Sequence, residues 1–586
     1  MNILLAAVNA KYIHSNPAVY SLRAYAGRAG GAEIRIGEYT VNQAVPEVLA
    51  DIYRRRPDLV GFSCYIWNIS FVKALIRDLA KVLPGMPIWL GGPEASFDCA
   101  GLLAELTEVK GIMRGEGEET FACLAGAYER AGSAGEMEER LFQIQGLTFR
   151  DREGKIHSTP DRPPMDLSRI PFVYESLDPA LFQNRIIYYE SSRGCPFSCS
   201  YCLSSVDKAL RFRDLELVRQ ELDFFLEQRA PQVKFVDRTF NCKKSHAMAV
   251  WEHILSRDNG VTNFHFEIAA DLLDEEQMEL LSQMRPGLVQ LEIGVQTANP
   301  QTLEEIRRRT DVGRIGEITA RINGWGNIHQ HLDLIAGLPW EGLGSFRESF
   351  NRVYAMRPEQ LQLGFLKVLK GSHMARMAEE YGLIYSAQPP YEVLGSRWLD
   401  YGEFLELKGV EEMTEVYYNS RQFIHSIRLL EEEFSTAYAM FAHMAAWYRE
   451  HGLWGISHSR LSRFEFFWQM VLELGLEAER REIYRDALVC DLYLRENAKS
   501  RPSFARDQGP FKERLRRFFE EEKRSPRYLS GYEGYDARQM AKMAHGEVLG
   551  DGSMILFDYR NRDPLSHNAS VVRIEEEAGC SGKEMR

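Results

Sequence analysis

A chain of 586 residues exceeds what one hydrophobic core supports, so several domains are expected. Its 45% apolar and 26% charged residues exclude a disordered polymer, and its net charge of −13 disfavours nucleic acid, which is gripped by Lys and Arg. Nine cysteines are too few and odd in number for a disulfide framework, the start Met1–Val8 lacks a signal peptide's basic region, and no run approaches a membrane span of roughly 20 apolar residues, so a cytoplasmic chain without membrane contact is expected.

Apolar runs of strand length recur at residues 2–8, 33–36, 59–64, 87–92 and 111–114, with helix-like stretches such as 70–83 between them. This alternation predicts a parallel, Rossmann-like sheet covered on both faces, over residues 1–130. Ligands of such sheets sit beyond the carboxyl ends of the strands. Those ends carry Asn9, Tyr12 and His14 in the first loop, Ser63 in the next, then Gly91-Gly92-Pro93 and Gly115-Glu116-Gly117. Residues 131–180 read as a linker, with a loop at 131–135, a small hairpin at 145–156, and prolines 160, 163 and 164.

After a strand at 186–190 comes Arg193-Gly194-Cys195-Pro196-Phe197-Ser198-Cys199-Ser200-Tyr201-Cys202. Three thiolates on one short loop can converge on metal. Spacing alone leaves two readings, an iron–sulfur cluster with one iron open, or a zinc site completed by a fourth ligand, for which Cys242 is the nearest cysteine. Further strands are expected at 233–237, 264–268, 288–295, 330–335 and 360–366, which with the first makes six β/α units. Polar residues at such strand ends usually serve the site.

The cysteine run, with Tyr201 before its last thiol and the glycine-rich turns upstream, resembles the cobalamin-binding radical-SAM superfamily. The resemblance implies an α/β chain in three parts, namely a Rossmann-like cobalamin domain, a partial (β/α)₆ barrel at 181–370, and a C-terminal domain. It implies a 4Fe–4S cluster on Cys195, Cys199 and Cys202, with S-adenosylmethionine chelating the open iron and cleaved to a 5′-deoxyadenosyl radical. Asp237, Glu267, Glu292 and Gln296 would contact that cofactor, the last two near its ribose and amino-acid part, with Tyr201 and the Gly337 turn at the adenine. The strand-end residues of the first domain would hold cobalamin. Lys11 and His14 stand where the family often has Asp-x-His-x-x-Gly, so no lower axial histidine is expected.

Residues 371–586 are expected to be mostly helical, with an aromatic stripe at Phe464, Phe466, Phe467, Trp468 and Tyr484 serving as core and a terminal hairpin at 553–559 and 570–574. Residues 382–394 resemble the connector of a subgroup whose C-terminal domain is uncharacterised. The family's implied activity is methylation of an unactivated carbon of a small-molecule or peptide substrate, fed by an electron donor such as flavodoxin or ferredoxin. Non-methylating rearrangement or cyclisation, and a non-catalytic iron–sulfur or cobalamin sensor, are the alternatives.

Overall fold

The computed structural model describes residues 1–28, 30–177 and 185–574; Cys580 and the expected boundary at 180/181 lie outside them. The chain divides into two compact units, Met1–Ser349 with Leu363–Phe404, and Phe350–Gln362 with the described residues from Leu405 onward. The first unit thus runs on to Phe404, past the boundary at 370 expected from the sequence.

Its first sheet holds β1 (Asn2–Asn9), β2 (Glu33–Thr40), β3 (Leu59–Ser63), β4 (Ile88–Gly91) and β5 (Gly111–Met113), parallel in the order β2-β1-β3-β4-β5. β1 is apolar without alternation because both its faces are buried. Leu4, Ala6 and Val8 pack toward helices Val45–Arg55 and Ile69–Val82, whereas Ile3, Leu5 and Ala7 pack toward Pro17–Gly27 and Gly117–Arg130. Strand order changes direction between β1 and β3, which opens a crevice at their carboxyl ends.

The expected linker is partly built into this domain. Its hairpin, β6 (Leu147–Arg150) and β7 (Ile156–Ser158), pairs antiparallel on β5 and extends the first sheet to seven strands. Residues 131–135, expected as loop, lead into a helix at Ala134–Gln143, because Ser133 Oγ accepts from the Glu136 amide at 3.2 Å and caps it.

The second sheet runs in sequence order through β8 (Ile187–Tyr189), β11 (Gln232–Phe235), β12 (Asn263–Ile268), β13 (Val289–Gln296), β14 (His329–Ala336) and β15 (Gln360–Phe365). β9 (Ser192–Arg193) and β10 (Arg211–Phe212) form a short antiparallel ribbon after β8. On β13, Val289, Leu291, Ile293 and Val295 are fully buried, while Gln290, Glu292, Gly294 and Gln296 share the opposite face. Strands of period two thus turn an apolar face to the helices and a polar face inward. β16 (Ile384–Tyr385) and β17 (Val393–Gly395) make a small ribbon in the connector.

The second unit contains helices Ala437–Glu450, Arg460–Glu473, Ala478–Arg495 and Lys512–Arg524 and a three-stranded antiparallel sheet, β18 (Ala544–Val548), β19 (Met554–Arg562) and β20 (Ala569–Ile574). Phe464, Phe467, Trp468 and Tyr484 are buried and serve as core, whereas Phe466 is only half-buried.

Candidate active site

The ribbon β9–β10 closes the loop that carries the three cysteines. Gly194 sits at φ +92°, where a Cβ would stand 2.7 Å from the Ala209 carbonyl oxygen, so only glycine fits. Amide bonds from Ser200 to the Ile306 carbonyl (2.9 Å) and from Met374 to the Ser200 carbonyl (2.8 Å) pin the loop's middle. Its base is held by Asp237, which accepts from the Ser191 amide at 2.9 Å, Ser191 Oγ at 2.7 Å and Ser192 Oγ at 2.5 Å. Burial pushes that carboxyl up to about 7 in spite of these donors. Asp237, expected at the sulfonium cofactor, is therefore fully buried behind the loop and does not line the cavity.

Cys195, Cys199 and Cys202 all open into one cavity of about 910 Å³ at the carboxyl edge of the second sheet. Among the described residues no group of three or more Cys, His, Asp or Glu converges on a single ion position. Three thiols that share one cavity could hold three corners of a cluster or, with a fourth ligand, a zinc ion. Arg308 reaches the same place, its Nη1 3.7 Å from Cys199 Sγ and 3.3 Å from Tyr201 Oη, with Nη2 donating to the Gly294 carbonyl. A guanidinium there would offset the negative charge of a thiolate-bound cluster. Cys242 does not line the cavity.

Opposite the thiols stand Glu267, Glu292, Gly294, Gln296 and Asp333, from the inward faces of β12, β13 and β14. Lys234 Nζ (2.8 Å) and His265 Nε2 (3.0 Å) flank Glu292; burial alone would raise its pKa, but these partners hold it far below the usual carboxylate range. Burial and the Glu292 charge push Glu267 up to about 7. His331 Nε2 lies 3.0 Å from Asp333 Oδ1, but off the hydrogen-bonding direction. Those two atoms and Gln296 Oε1 are buried without a hydrogen-bond partner, and Gln296 adopts φ +74°, unusual for a residue with a side chain. Orphaned polar atoms around a roomy cavity fit a bound polar molecule of the sulfonium cofactor's kind. Gly337, expected at the adenine, lies outside the cavity lining, and at φ +90° it makes room for the Phe404 ring, 2.8 Å from where a Cβ would be.

The sequence reading missed Arg308, Asp333, Lys234, His265 and His331. Polar residues within otherwise apolar β11, β12 and β14 were the signal for Lys234, His265, His331 and Asp333, whereas nothing local marks Arg308, which follows the helix Pro300–Glu305.

At the first sheet's crevice, Asn9, His14, Asn16, Tyr65, Trp67, Tyr188 and Val236 surround an open space of about 770 Å³. Tyr65 and Trp67 stack at 4.2 Å. His14 Nδ1 lies 2.7 Å from the Tyr188 hydroxyl, joining the first-domain loop to β8, and Asn9 Nδ2 donates to the His14 carbonyl at 3.0 Å. Tyr12 is exposed, under the Arg185 guanidinium rather than in this space. A second slot, about 450 Å³, runs between the strands and is lined by Gly61, Ser63, Gly91, Gly92, Gly115 and Gly117 with Leu5, Val19 and Met113. At Gly115 a Cβ would meet nothing within 4 Å and would project into open room. An open, largely apolar face above a glycine-walled slot fits a flat macrocycle with an appended ring. Pro93 starts the short helix Pro93–Ser96 beside it and does not line the slot. Glu116, expected at the corrin, instead pairs with Arg211 at 2.5 Å and accepts from the Met165 amide at 3.0 Å.

Three family models match successive stretches: the B12 binding domain at residues 3–125, the Radical SAM superfamily at 189–353, and a protein family of unknown function, DUF4080, at 379–559. The chain is 24% identical over 344 residues to the anaerobic magnesium-protoporphyrin IX monomethyl ester cyclase of Rubrivivax gelatinosus, covering 57% of this chain and 60% of that one. It is 26% identical over 343 residues to the hopanoid C-3 methylase of Methylococcus capsulatus, covering 56% and 62%. These alignments span less than two thirds of either relative. Among solved structures, the cobalamin-dependent S-adenosylmethionine radical enzyme OxsB superposes with TM-score 0.56 at 14% identity, over 83% of this chain and 75% of that one.

Proposed function

We propose, for a chain that belongs to the radical SAM superfamily and carries an N-terminal B12-binding domain, that it methylates an unactivated carbon of a small-molecule or peptide substrate. The carrying observation is that three thiols at the edge of the parallel sheet and a glycine-walled corrin slot occur within one compact unit. When bound, the cluster, S-adenosylmethionine and cobalamin supply hydrogen abstraction and a transferable methyl group.

The protein's part is positioning and charge. Cys195, Cys199 and Cys202 would hold the cluster, Asp237 with Ser191 and Ser192 would keep their loop in place, and Arg308 would offset its charge. Glu292, Gln296, Asp333 and Tyr201 would orient the sulfonium cofactor. Asn9, His14 and Ser63 with the glycines of the slot would hold cobalamin, without a lower histidine, because Lys11, whose ammonium has no lone pair to offer, stands where the family's histidine would be. A low-potential donor such as flavodoxin or ferredoxin, in an oxygen-poor cytoplasm, completes the reading; no helix among the described residues is long and apolar enough to cross a membrane. The cyclase relative supports a second reading, radical cyclisation without methyl transfer.

Anaerobic reconstitution with iron, sulfide and cobalamin tests the proposal. Iron and cobalt should be retained, Cys195→Ala should lose the iron and Cys242→Ala keep it. Under reductant with substrate, S-adenosylhomocysteine should form beside deoxyadenosine, and deoxyadenosine alone would select cyclisation. Stoichiometric zinc in colourless protein would refute both.

A further inference from the structure

A cavity of about 690 Å³ lies wholly within the second unit, and none of the chemistry above uses it. Its wall is built at a break in regular structure. The helix Tyr401–Thr414 passes into a wider π turn at Glu415–Asn419, a distortion often found at functional sites. Both phenols the turn presents are already committed, Tyr417 to the Tyr448 hydroxyl at 2.5 Å and Tyr418 to the Pro358 carbonyl at 2.5 Å. Asn419 fastens the turn to Leu361 through two 2.9 Å bonds.

The groups left facing the cavity are cationic. Arg357 lines it but is spent, since Glu431 takes its fork at 2.7 and 2.5 Å. His425 is fixed by the buried Asp491, whose Oδ1 is 2.7 Å from Nδ1 and whose Oδ2 also accepts from the Ser426 amide and hydroxyl. That leaves His425 Nε2 as the unengaged ring nitrogen, and the Asp491 carboxylate favours the charged ring. Arg421 and Arg428 also line the cavity, and among the described residues no carboxylate lies within ion-pair distance of either. Arg421 holds φ +56° and Arg357 φ +58°, left-handed positions that cost energy for arginine and aim both side chains from tight turns. Two uncompensated guanidiniums and an anchored imidazole gather here in a chain of net charge −13.

We propose that this cavity of the C-terminal domain is a binding site for a phosphate monoester. Guanidinium forks match phosphate oxygens in pairs. The side chains of Ile424 and Ile427 supply apolar wall for the carbon skeleton that a phosphate ester carries.

The test is calorimetric titration of the full-length protein with inorganic phosphate and with glycerol 3-phosphate, at ionic strength held constant with chloride. Saturable binding is expected, tighter for the ester, and weakened about tenfold or more in Arg421→Gln, as loss of one charge-assisted contact implies. Arg428→Gln, at an exposed position, should weaken it likewise without disturbing the fold, which an unchanged circular-dichroism spectrum and urea unfolding curve would confirm. No saturable binding of either probe, an affinity in both variants equal to that of the wild type, or succinate, titrated in the same way, binding more tightly than the ester would overturn the proposal.

Discussion

The ribbon that carries the cysteines is tied to the cobalamin-binding domain by charge, and that tie can be broken in a controlled way. Arg193 and Arg211 face each other across β9 and β10. Arg193 Nη2 lies 2.8 Å from Glu118 Oε1 and 2.7 Å from Glu190 Oε2, while Arg211 Nη1 meets Glu116 at 2.5 Å. Glu116 and Glu118 belong to the turn that begins the helix Gly117–Arg130, beside the glycine slot. Glu118 is only 5% exposed, and although burial would raise its pKa, Arg193 holds it below the usual range. Arg193→Leu would strand this carboxylate with Ser21 as its one remaining side-chain donor.

Removing one partner of a buried ion pair costs about 3–5 kcal/mol, whereas replacing both with apolar groups of similar size is close to neutral. The urea m-value grows with size beyond the roughly 1–3 kcal/mol/M of small proteins; at roughly 6 kcal/mol/M for the first unit, Arg193→Leu should lower its unfolding midpoint by about 0.5–0.8 M. The double variant Arg193→Leu/Glu118→Leu should recover much of that loss, a coupling that a double-mutant cycle reads directly. Cluster content should fall with the single variant and return with the double, as iron analysis after anaerobic reconstitution would show. A midpoint unchanged in the single variant, or losses that simply add in the double, would refute the idea that these carboxylates hold the cysteine ribbon in place.

Gly115→Leu should block cobalamin uptake, read from visible absorbance and cobalt analysis, while leaving iron content intact, because its side chain would fill the slot; the φ of +70° adds about 1 kcal/mol of strain. Glu341 is fully buried, accepts from Thr297 and Ser349 hydroxyls at 2.5 and 2.9 Å, and is pushed by burial up to about 7. Its folded form keeps a proton that the unfolded chain has released, so the stability it contributes is present at low pH and is lost as pH rises from about 4.5 to 7, by about 3 kcal/mol. In Glu341→Gln the fall in urea midpoint between pH 5 and 8 should be smaller than in wild type, and equal slopes would refute the assignment.

Most strands were legible, β1 and β3 as apolar runs buried on both faces and β13 as a period-two alternation, and these stand out without any knowledge of pairing. β18 was not legible, since Gly546 and Glu547 interrupt its pattern and only pairing with β19 makes it a strand. Residues 465–496 keep helical spacing throughout but form parts of two helices, parted at Gly475 with φ +69°. The cysteine triad was readable because its chemistry is local, three ligands on one short loop. Asp237 and Gly337 show the limit of motif reading: a polar or glycine residue at a strand end can support the site from behind as readily as line it.

Glu116 carries that lesson further. In the sequence it belongs to a glycine turn whose neighbours wall a ligand slot, and nothing local distinguishes its carboxylate from a ligand contact. Its partner Arg211 is 95 residues away, so the pairing exists only once the fold has formed. The same turn would therefore do two jobs with different atoms: the missing side chain of Gly115 would leave room for one cofactor, and the carboxylates of Glu116 and Glu118 grip the ribbon that would present the other. A substitution at either acid should thus disturb the cluster loop before it disturbs cobalamin, whereas one at Gly115 should do the reverse.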